Sequence, residues 1–399
     1  MNGSGLKSTK NGTTMIISYI RSSSYNNWDF CQMQYYMNYV LGLPRGTAKK
    51  AEQGTIVHKV MEILANCKKE IQDQYIYNKE CPIPNFFEYD DEHIGVVEWF
   101  YDDFLKPYPL SNTEVDAINK TRINKYKYKH DAKIPYGTTH YGKQMVDEIF
   151  ERVYTYYSKE NWEPVDKKDC YNWTWMALEY KDGIFDPRKR NIVEAEPHFD
   201  FIIDKPWANY RWTLPTGKEI SGKLGIKGTI DLITAHPGGI IEVVDWKTGQ
   251  RKDWACKTSN DEKTYEKLCT DFQLMLYYYA VKKLYPNVKQ IIVSIFFVRD
   301  GGPFTVHMDE DIIKEVENRL CQRFQEIATC QLPAMQDATQ RDFRCTRICD
   351  YYKMVAPNGD NMCRFIHEQI QKMGIDEVTN KYTQKGFSIG TYQAPGEAS

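Results

Sequence analysis

Residues 228–249 read GTIDLITAHPGGIIEVVDWKTG. The His236-Pro237-Gly238-Gly239 block joins two runs rich in β-branched residues, the pattern of a turn between paired strands. A turn centred near residue 238 sets Asp231 opposite Asp245, each seven residues away. Side chains alternate along a strand, so Asp245 and Lys247 share a face. Two carboxylates and an ammonium group then meet on an otherwise Ile- and Val-rich hairpin. Like charges among apolar neighbours are costly unless something compensates them, and a divalent cation does so. Carboxylate oxygens suit Mg²⁺ or Mn²⁺. A lone D-x-K would read as a surface ion pair, but the second aspartate at matching parity favours a shared cation.

Outward from this hairpin, IVEAEPHFDFIID (192–204), KGTIDLITA (227–235), GIIEVVDWKTG (239–249) and QIIVSIFFV (290–298) predict strands. A helix over DFQLMLYYYAVKKLYP (271–286) separates the last two. Residues 18–45 predict an aromatic helix with Ser23 or Ser24 as N-cap and Pro44 at its end. A second helix opens near Gly54-Thr55, with Ile56, Val60, Ile63 and Leu64 on one face. Helical, aromatic-rich pattern fills most of 66–190, and helix returns at 309–330 and 340–370. The fold class is therefore α/β, a mixed central sheet flanked by helices. The expected organisation is a flexible leader (1–14), an N-terminal helical part (15–65), a helical insertion (66–190), a core sheet with its helix (191–300), a C-terminal helical part (301–386) and a flexible tail (387–399).

Composition narrows the function. The 399 residues carry 52 basic and 54 acidic side chains, a net charge of −2. A surface that is cationic throughout is excluded; a local basic groove is not. INKTRINKYKYKH (118–130) is such a local feature: it concentrates Lys120, Arg122, Lys125, Lys127 and Lys129, the last three interleaved with tyrosines, which suits a single strand through stacking and phosphate contacts. A solvated charged loop or helix face reads the same way. No apolar run is long enough to cross a bilayer, and the polar N-terminus has no secretory signal core, so a cytoplasmic protein is expected.

Gly228 and Asp231, followed by Asp245-Trp246-Lys247, resemble the core of the PD-(D/E)XK nuclease superfamily, and more narrowly its RecB-like branch. That branch has G-T-x-x-H upstream, matched by Gly54-Thr55-Ile56-Val57-His58. It has a Glu in an E-x-x-F strand, matched by Glu196 and Phe199, with Glu194 as a competing carboxylate. It has Q-x-x-x-Y on the helix after the hairpin, matched by Gln273 and Tyr277. The resemblance implies a restriction-endonuclease-like core, with Asp231, Asp245 and His58 as ligands of Mg²⁺ or Mn²⁺ and Glu196 as a further one. Lys247 would orient water or neutralise charge, and Gln273 and Tyr277 would hold the scissile strand. Each match has a plainer reading alone: a core histidine, a solvent-facing glutamate, a polar stripe on an amphipathic helix.

Eleven cysteines is a high and odd number for an intracellular chain. Four of them, Cys31 near the start and Cys345, Cys349 and Cys363 near the end, resemble the set that binds a [4Fe–4S] cluster in some RecB-like nucleases, stapling the domain's ends together. Gln32 stands where that group usually has Pro. The late triplet, C-x3-C-x13-C, is looser than its pattern, and the Ala356-Pro357-Asn358-Gly359-Asp360 turn would return Cys363 towards Cys349. A four-thiolate Zn²⁺ site and unligated core cysteines are the alternatives. Cys67, Cys81, Cys170, Cys256, Cys269, Cys321 and Cys330 read as packing residues.

The function expected from this resemblance is phosphodiester hydrolysis of DNA, as an exonuclease preferring single strands or DNA ends, in recombination, repair or DNA processing. The chain has no G-x-x-x-x-G-K-[ST] phosphate loop, so ATP-driven unwinding would come from a helicase or recombination partner. A catalytically silent DNA-binding or recombination-assembly module on the same fold is the alternative, and a metal-stapled scaffold a further one.

Overall fold

The computed structural model describes residues 6–7, 15, 17–43, 49–78, 141–158, 165–213, 219–251, 262–300, 302–336 and 342–383. The basic segment 118–130, and with it Lys120, Arg122, Lys125, Lys127 and Lys129, lies outside the described residues, as do Cys81 and Cys256.

The hairpin is present as read. Strands β8 (Leu232–His236) and β9 (Ile240–Lys247) pair antiparallel from Leu232↔Val244 to His236↔Ile240. Gly238 and Gly239 take φ values of +85° and +82° in the turn, a region open to residues without a Cβ. Strand β10 (Gln290–Phe297) runs parallel to β9, and the helix between them makes the required crossover. Adding β3 (Ile192–Ala195) and β11 (Gly302–His307) gives a mixed five-stranded sheet in the order β11-β10-β9-β8-β3. A smaller sheet, β2-β7-β4, is built from Tyr19–Arg21, Gly225–Thr229 and His198–Ile202. A third comprises β1 (Leu6–Lys7), β5 (Asn209–Thr213) and β6 (Glu219–Lys223).

Both faces of the large sheet are covered, as its near-continuous apolar strands require. On one side Leu232, Val244, Trp246 and Phe296 pack beneath three helices: α3 (Lys49–Asn78), α4 (Tyr141–Ser158) and α5 (Lys167–Glu179). On the other, Ile233, Ile241, Val243 and Val293 pack with helices of both chain ends. These are α1 (Ser22–Phe30), α2 (Gln32–Tyr35), α7 (Phe272–Leu284), α8 (Asp311–Ala328), α10 (Met362–Met373) and α11 (Ile375–Tyr382). Two short helices, α6 (Tyr265–Cys269) and α9 (Asp350–Lys353), complete the described set. No described helix is long and apolar enough to cross a membrane.

Three expectations need correction. The helix expected over 18–45 begins as strand β2, which pairs with β7; α1 follows with Arg21 as its N-cap, and Ser24 closes the box by bonding Arg21. That helix also breaks at Cys31, whose backbone is extended. The helix expected from Gly54-Thr55 opens a turn and a half earlier, at Lys49. Finally, 192–204 and 227–235 are not single strands; each is cut in two where it passes from the large sheet to the small one.

Candidate active site

The two cuts coincide. In the small sheet His198 pairs with Thr229, and in the large sheet Ala195 pairs with Leu232. Between them the chains keep contact through Glu196 N–H to Asp231 C=O (3.0 Å) and Ile230 N–H to Pro197 C=O (3.1 Å), outside either ladder. Pro197 has no N–H to give and marks the break. Glu196 adopts φ +50°, a left-handed conformation costing a non-glycine residue about 1 kcal/mol or more. The crossing takes Glu196 and Asp231 out of regular pairing and presents both carboxylates at one point. Asp231 Oδ2 accepts the Trp246 N–H at 2.8 Å, so a side chain continues the ladder where the backbone leaves it.

Three further elements converge there. From α3, His58 Nδ1 lies 3.4 Å from Asp231 Oδ1. One ligand atom each from His58, Glu196 and Asp231 fall within 4.8 Å of one another. At the end of β9, Lys247 Nζ donates to Asp245 Oδ1 at 2.9 Å and lies 2.7 Å from Oδ2. Oδ2 is buried, with no hydrogen-bond partner other than that ammonium among the described residues. On α7, Gln273 Nε2 donates to the Tyr277 hydroxyl at 2.7 Å, and that hydroxyl faces Asp245. Helix α3 reaches the strand end because position 54 is glycine: a Cβ there would sit 3.0 Å from Thr248 Oγ1. Gly228 has a different reason. The Phe199 ring lies across it, and a Cβ would meet that ring at 2.3 Å.

A cleft of about 500 Å³ opens beside this cluster, lined by Gly54, Thr55, His58, Lys59, Glu196 and Thr248 among others. The charges within it oppose one another. Burial, with Asp231 and Glu62 nearby, pushes Glu196 up to about 7, against the pull of Lys59 and His58. Burial raises Asp245 to about 6, although Lys247 works to lower it and Asp231 adds to the rise. Asp231 is buried too, yet His58, Lys247 and the Trp246 N–H hold it below the usual carboxylate range. Burial opposes charge on both His58 and Lys247, but the carboxylates outweigh it and raise both. Burial and the two aspartates keep Tyr277 a neutral phenol. A negative cluster with too few cations is what a bound divalent ion would balance.

The structure thus brings together His58, Glu196, Asp231, Asp245, Lys247, Gln273 and Tyr277. Glu194 stands apart, accepting the Tyr285 hydroxyl at 2.7 Å. Sequence reasoning missed Lys59, Glu62 and Thr248. Thr248 directly follows Lys247 and Lys59 directly follows His58, but nothing in their spacing separates cleft-lining neighbours from solvent-facing ones.

The cysteines form a second cluster. The backbone of Gln34 donates to Cys31 Sγ at 3.4 Å, and the N–H groups of Tyr351 and Tyr352 point at Cys349. Both residues cap short helices and Cys363 lies in the first turn of α10, where the helix end favours a thiolate. Burial nonetheless raises the thiol pKa values of Cys345, to about 11, and of Cys349 and Cys363, each raised further by neighbouring cysteines. A hairpin with Val355 bridged to Asn361 carries the chain from Cys349 back to Cys363. Direct bonds join the two chain ends around this cluster, including Tyr36 hydroxyl to Thr379 (2.7 Å) and Tyr351 hydroxyl to Leu43 C=O (2.9 Å).

Comparison with known proteins adds one decisive finding. A model of the PD-(D/E)XK nuclease superfamily matches residues 22–91 and 96–354. No curated protein matches the chain. The crystal structure of SSO0001 is similar over 42% of this chain and 61% of its own length, at 14% identity and a TM-score of 0.18, values at which the likeness carries no argument.

Proposed function

Because the chain belongs to the PD-(D/E)XK nuclease superfamily, we propose that it is a metal-dependent DNA nuclease whose catalytic centre is the cluster at the strand crossing. The observation that supports this most directly is the set of ligand atoms from His58, Glu196 and Asp231 within 4.8 Å, beside the Asp245–Lys247 pair. Asp231, Asp245 and His58 would hold Mg²⁺ or Mn²⁺, with Glu196 completing the set. The ion would supply a Lewis acid for a phosphate oxygen and for the leaving oxyanion. Lys247 orients the attacking water and offsets charge gathering on the phosphorus. Gln273 fixes the Tyr277 hydroxyl, and the pair positions the scissile strand.

The finer reading is an exonuclease preferring single strands or DNA ends, working with a helicase or recombination protein. The basic segment 118–130 is the candidate strand-binding arm. The four cysteines suit a [4Fe–4S] cluster: they are buried and near one another, and peptide N–H groups aim at two of the sulfurs. A four-thiolate Zn²⁺ site is the alternative occupant.

The test is anaerobic purification, a visible spectrum and iron assay, then digestion of 5′- and 3′-labelled single- and double-stranded DNA with Mg²⁺ or Mn²⁺. Release of nucleotides from one labelled end supports the reading. No cleavage of any substrate leaves the silent DNA-binding module.

A further inference from the structure

The outer face of the small sheet begins where the catalytic cluster ends. Along β4, His198 and Asp200 share that face; along β7, Thr229 and Lys227 do. Phe199, Ile226 and Ile20 point the other way, into the core. His198 Nδ1 shares a 2.8 Å hydrogen bond with Thr229 Oγ1 in the row next to the crossing. In the following row the register aligns Asp200, Lys227 and Arg21 across three strands. That row carries two cations and one carboxylate.

The cations are gathered rather than dispersed. The Arg21 guanidinium lies 5.3 Å and the Lys227 ammonium 5.4 Å from the centre of one ring, that of Tyr19. Lys227 Nζ is 2.9 Å from Asp200 Oδ2, a surface pair worth little in water. Arg21 has no carboxylate partner among the described residues and is exposed. Two like charges are held against one ring, and it is Arg21, exposed and without a carboxylate partner among the described residues, that can take up an anion. The row lies two residues from Thr229, about 7 Å along the strand away from the crossing, and His198 follows the cleft-lining Glu196 by two residues.

We propose that the outer face of this sheet is a phosphate track for the DNA strand leaving the catalytic cluster, with Arg21 and Lys227 holding one backbone phosphate. This rests on the nuclease reading of the cluster. Charge complementarity and closeness in the chain to the cleft select the occupant: a phosphodiester chain whose scissile group lies in the cleft beside Glu196 presents its next anions over His198 and then over this row. On binding, Lys227 exchanges Asp200 for the phosphate while Tyr19 keeps both cations in place.

The experiment is fluorescence anisotropy on labelled single-stranded oligonucleotides of 3 and 20 nucleotides, with Ca²⁺ in place of the catalytic ion and salt as a variable. Arg21→Ala/Lys227→Ala should weaken the 20-mer on the order of tenfold and lower its salt slope by about 1, since each phosphate contact on a single strand is worth ~0.7. The trinucleotide, too short to span both sites, should lose far less. Asp200→Asn should tighten the 20-mer by roughly two- to fivefold by removing a negative charge from the row, a gain that misfolding cannot mimic. Unchanged affinity and salt slope in the double variant would overturn the track while wild-type cleavage kept the nuclease reading. A wild-type protein that neither cuts nor binds DNA would remove both.

Discussion

The strand crossing and the cysteine cluster both keep titratable groups from water, and they do so to opposite ends. The crossing collects Asp231, Asp245, Glu196, His58 and Lys247 from elements that would pack better without them. Its carboxylates are held at unfavourable ionisation, and Glu196 is held in an unfavourable backbone conformation. The cysteine cluster joins residues more than 300 positions apart through groups that are neutral when unligated, set among bonds that already tie the two chain ends. One region stores strain where chemistry is proposed; the other adds stability where none is.

Substitution should separate the two by several kcal/mol. Lys247→Ala should cut Mn²⁺-dependent cleavage by about 10³-fold, roughly 4 kcal/mol of lost transition-state stabilisation. Asp245→Asn should do the same while keeping or raising the melting temperature of the metal-free protein, because it removes one of two like charges. Single-turnover cleavage alongside thermal denaturation checks this. Cleavage that survives in either variant would move the catalytic centre elsewhere.

The cysteine cluster should behave in the reverse sense. Cys363→Ser should lower iron content and the melting temperature by roughly 5–10 °C, with residual cleavage falling only as far as the folded fraction does. A variant that keeps its melting temperature but loses its chemistry would break the comparison, since the two regions would then share one function.

How much of this contrast the residues reveal beforehand differs by region. The register of Asp231 and Asp245 follows from the His236–Gly239 turn and the period-two alternation, and the structure has the turn centred as counted. The crossing does not announce itself, because Glu196-Pro197 and Ile230-Asp231 sit inside runs of good strand formers. Pro197 is the only local sign, and it is compatible with an ordinary edge strand. Strand β2 was hidden for a related reason: Tyr-Ile-Arg is too short to show a period, and the following serines pull the reading towards a helix. Gly54 and Gly228 were visible only as motif letters. Their physical roles, close approach to Thr248 and shelter beneath Phe199, depend on residues far away in sequence.

Acidity offers a smaller probe of the same contrast. In the metal-free protein Glu196 is raised to about 7 and Asp245 to about 6, well above their values in an unfolded chain. Such groups leave the protein most stable below pH 4 and withdraw that stability as pH rises through 6 to 7. His58, raised as well, acts in the same direction over this window. Asp231, lowered, contributes stability that is lost only on strong acidification. The metal-free melting temperature should therefore fall by a few degrees from pH 5 to 7.5, and Mn²⁺ should restore more of it at pH 7.5 than at pH 5. Glu196→Gln should flatten the slope. A Mn²⁺ effect that is equal at both pH values would mean that the ion does not compensate these carboxylates.

The smallest effect tests how closely the two structural demands meet at one residue. Gly54 lies inside α3, where alanine would favour the helix by up to about 1 kcal/mol. Its added methyl group would stand 3.0 Å from Thr248 Oγ1, one residue beyond Lys247, so the helix and the strand end must part by a few tenths of an ångström. The gain in helix propensity and the loss of contact nearly cancel, and the melting temperature of Gly54→Ala should stay within about 3 °C of wild type. The displacement has no such offset in the chemistry, because His58 rides on the same helix and must reach Asp231 across that gap. Cleavage should fall several-fold with no change in fold, as the cost of small misplacements in a catalytic array requires. If stability drops and cleavage does not, the approach of α3 serves packing alone, and His58 is not held to Asp231 by the glycine beneath it.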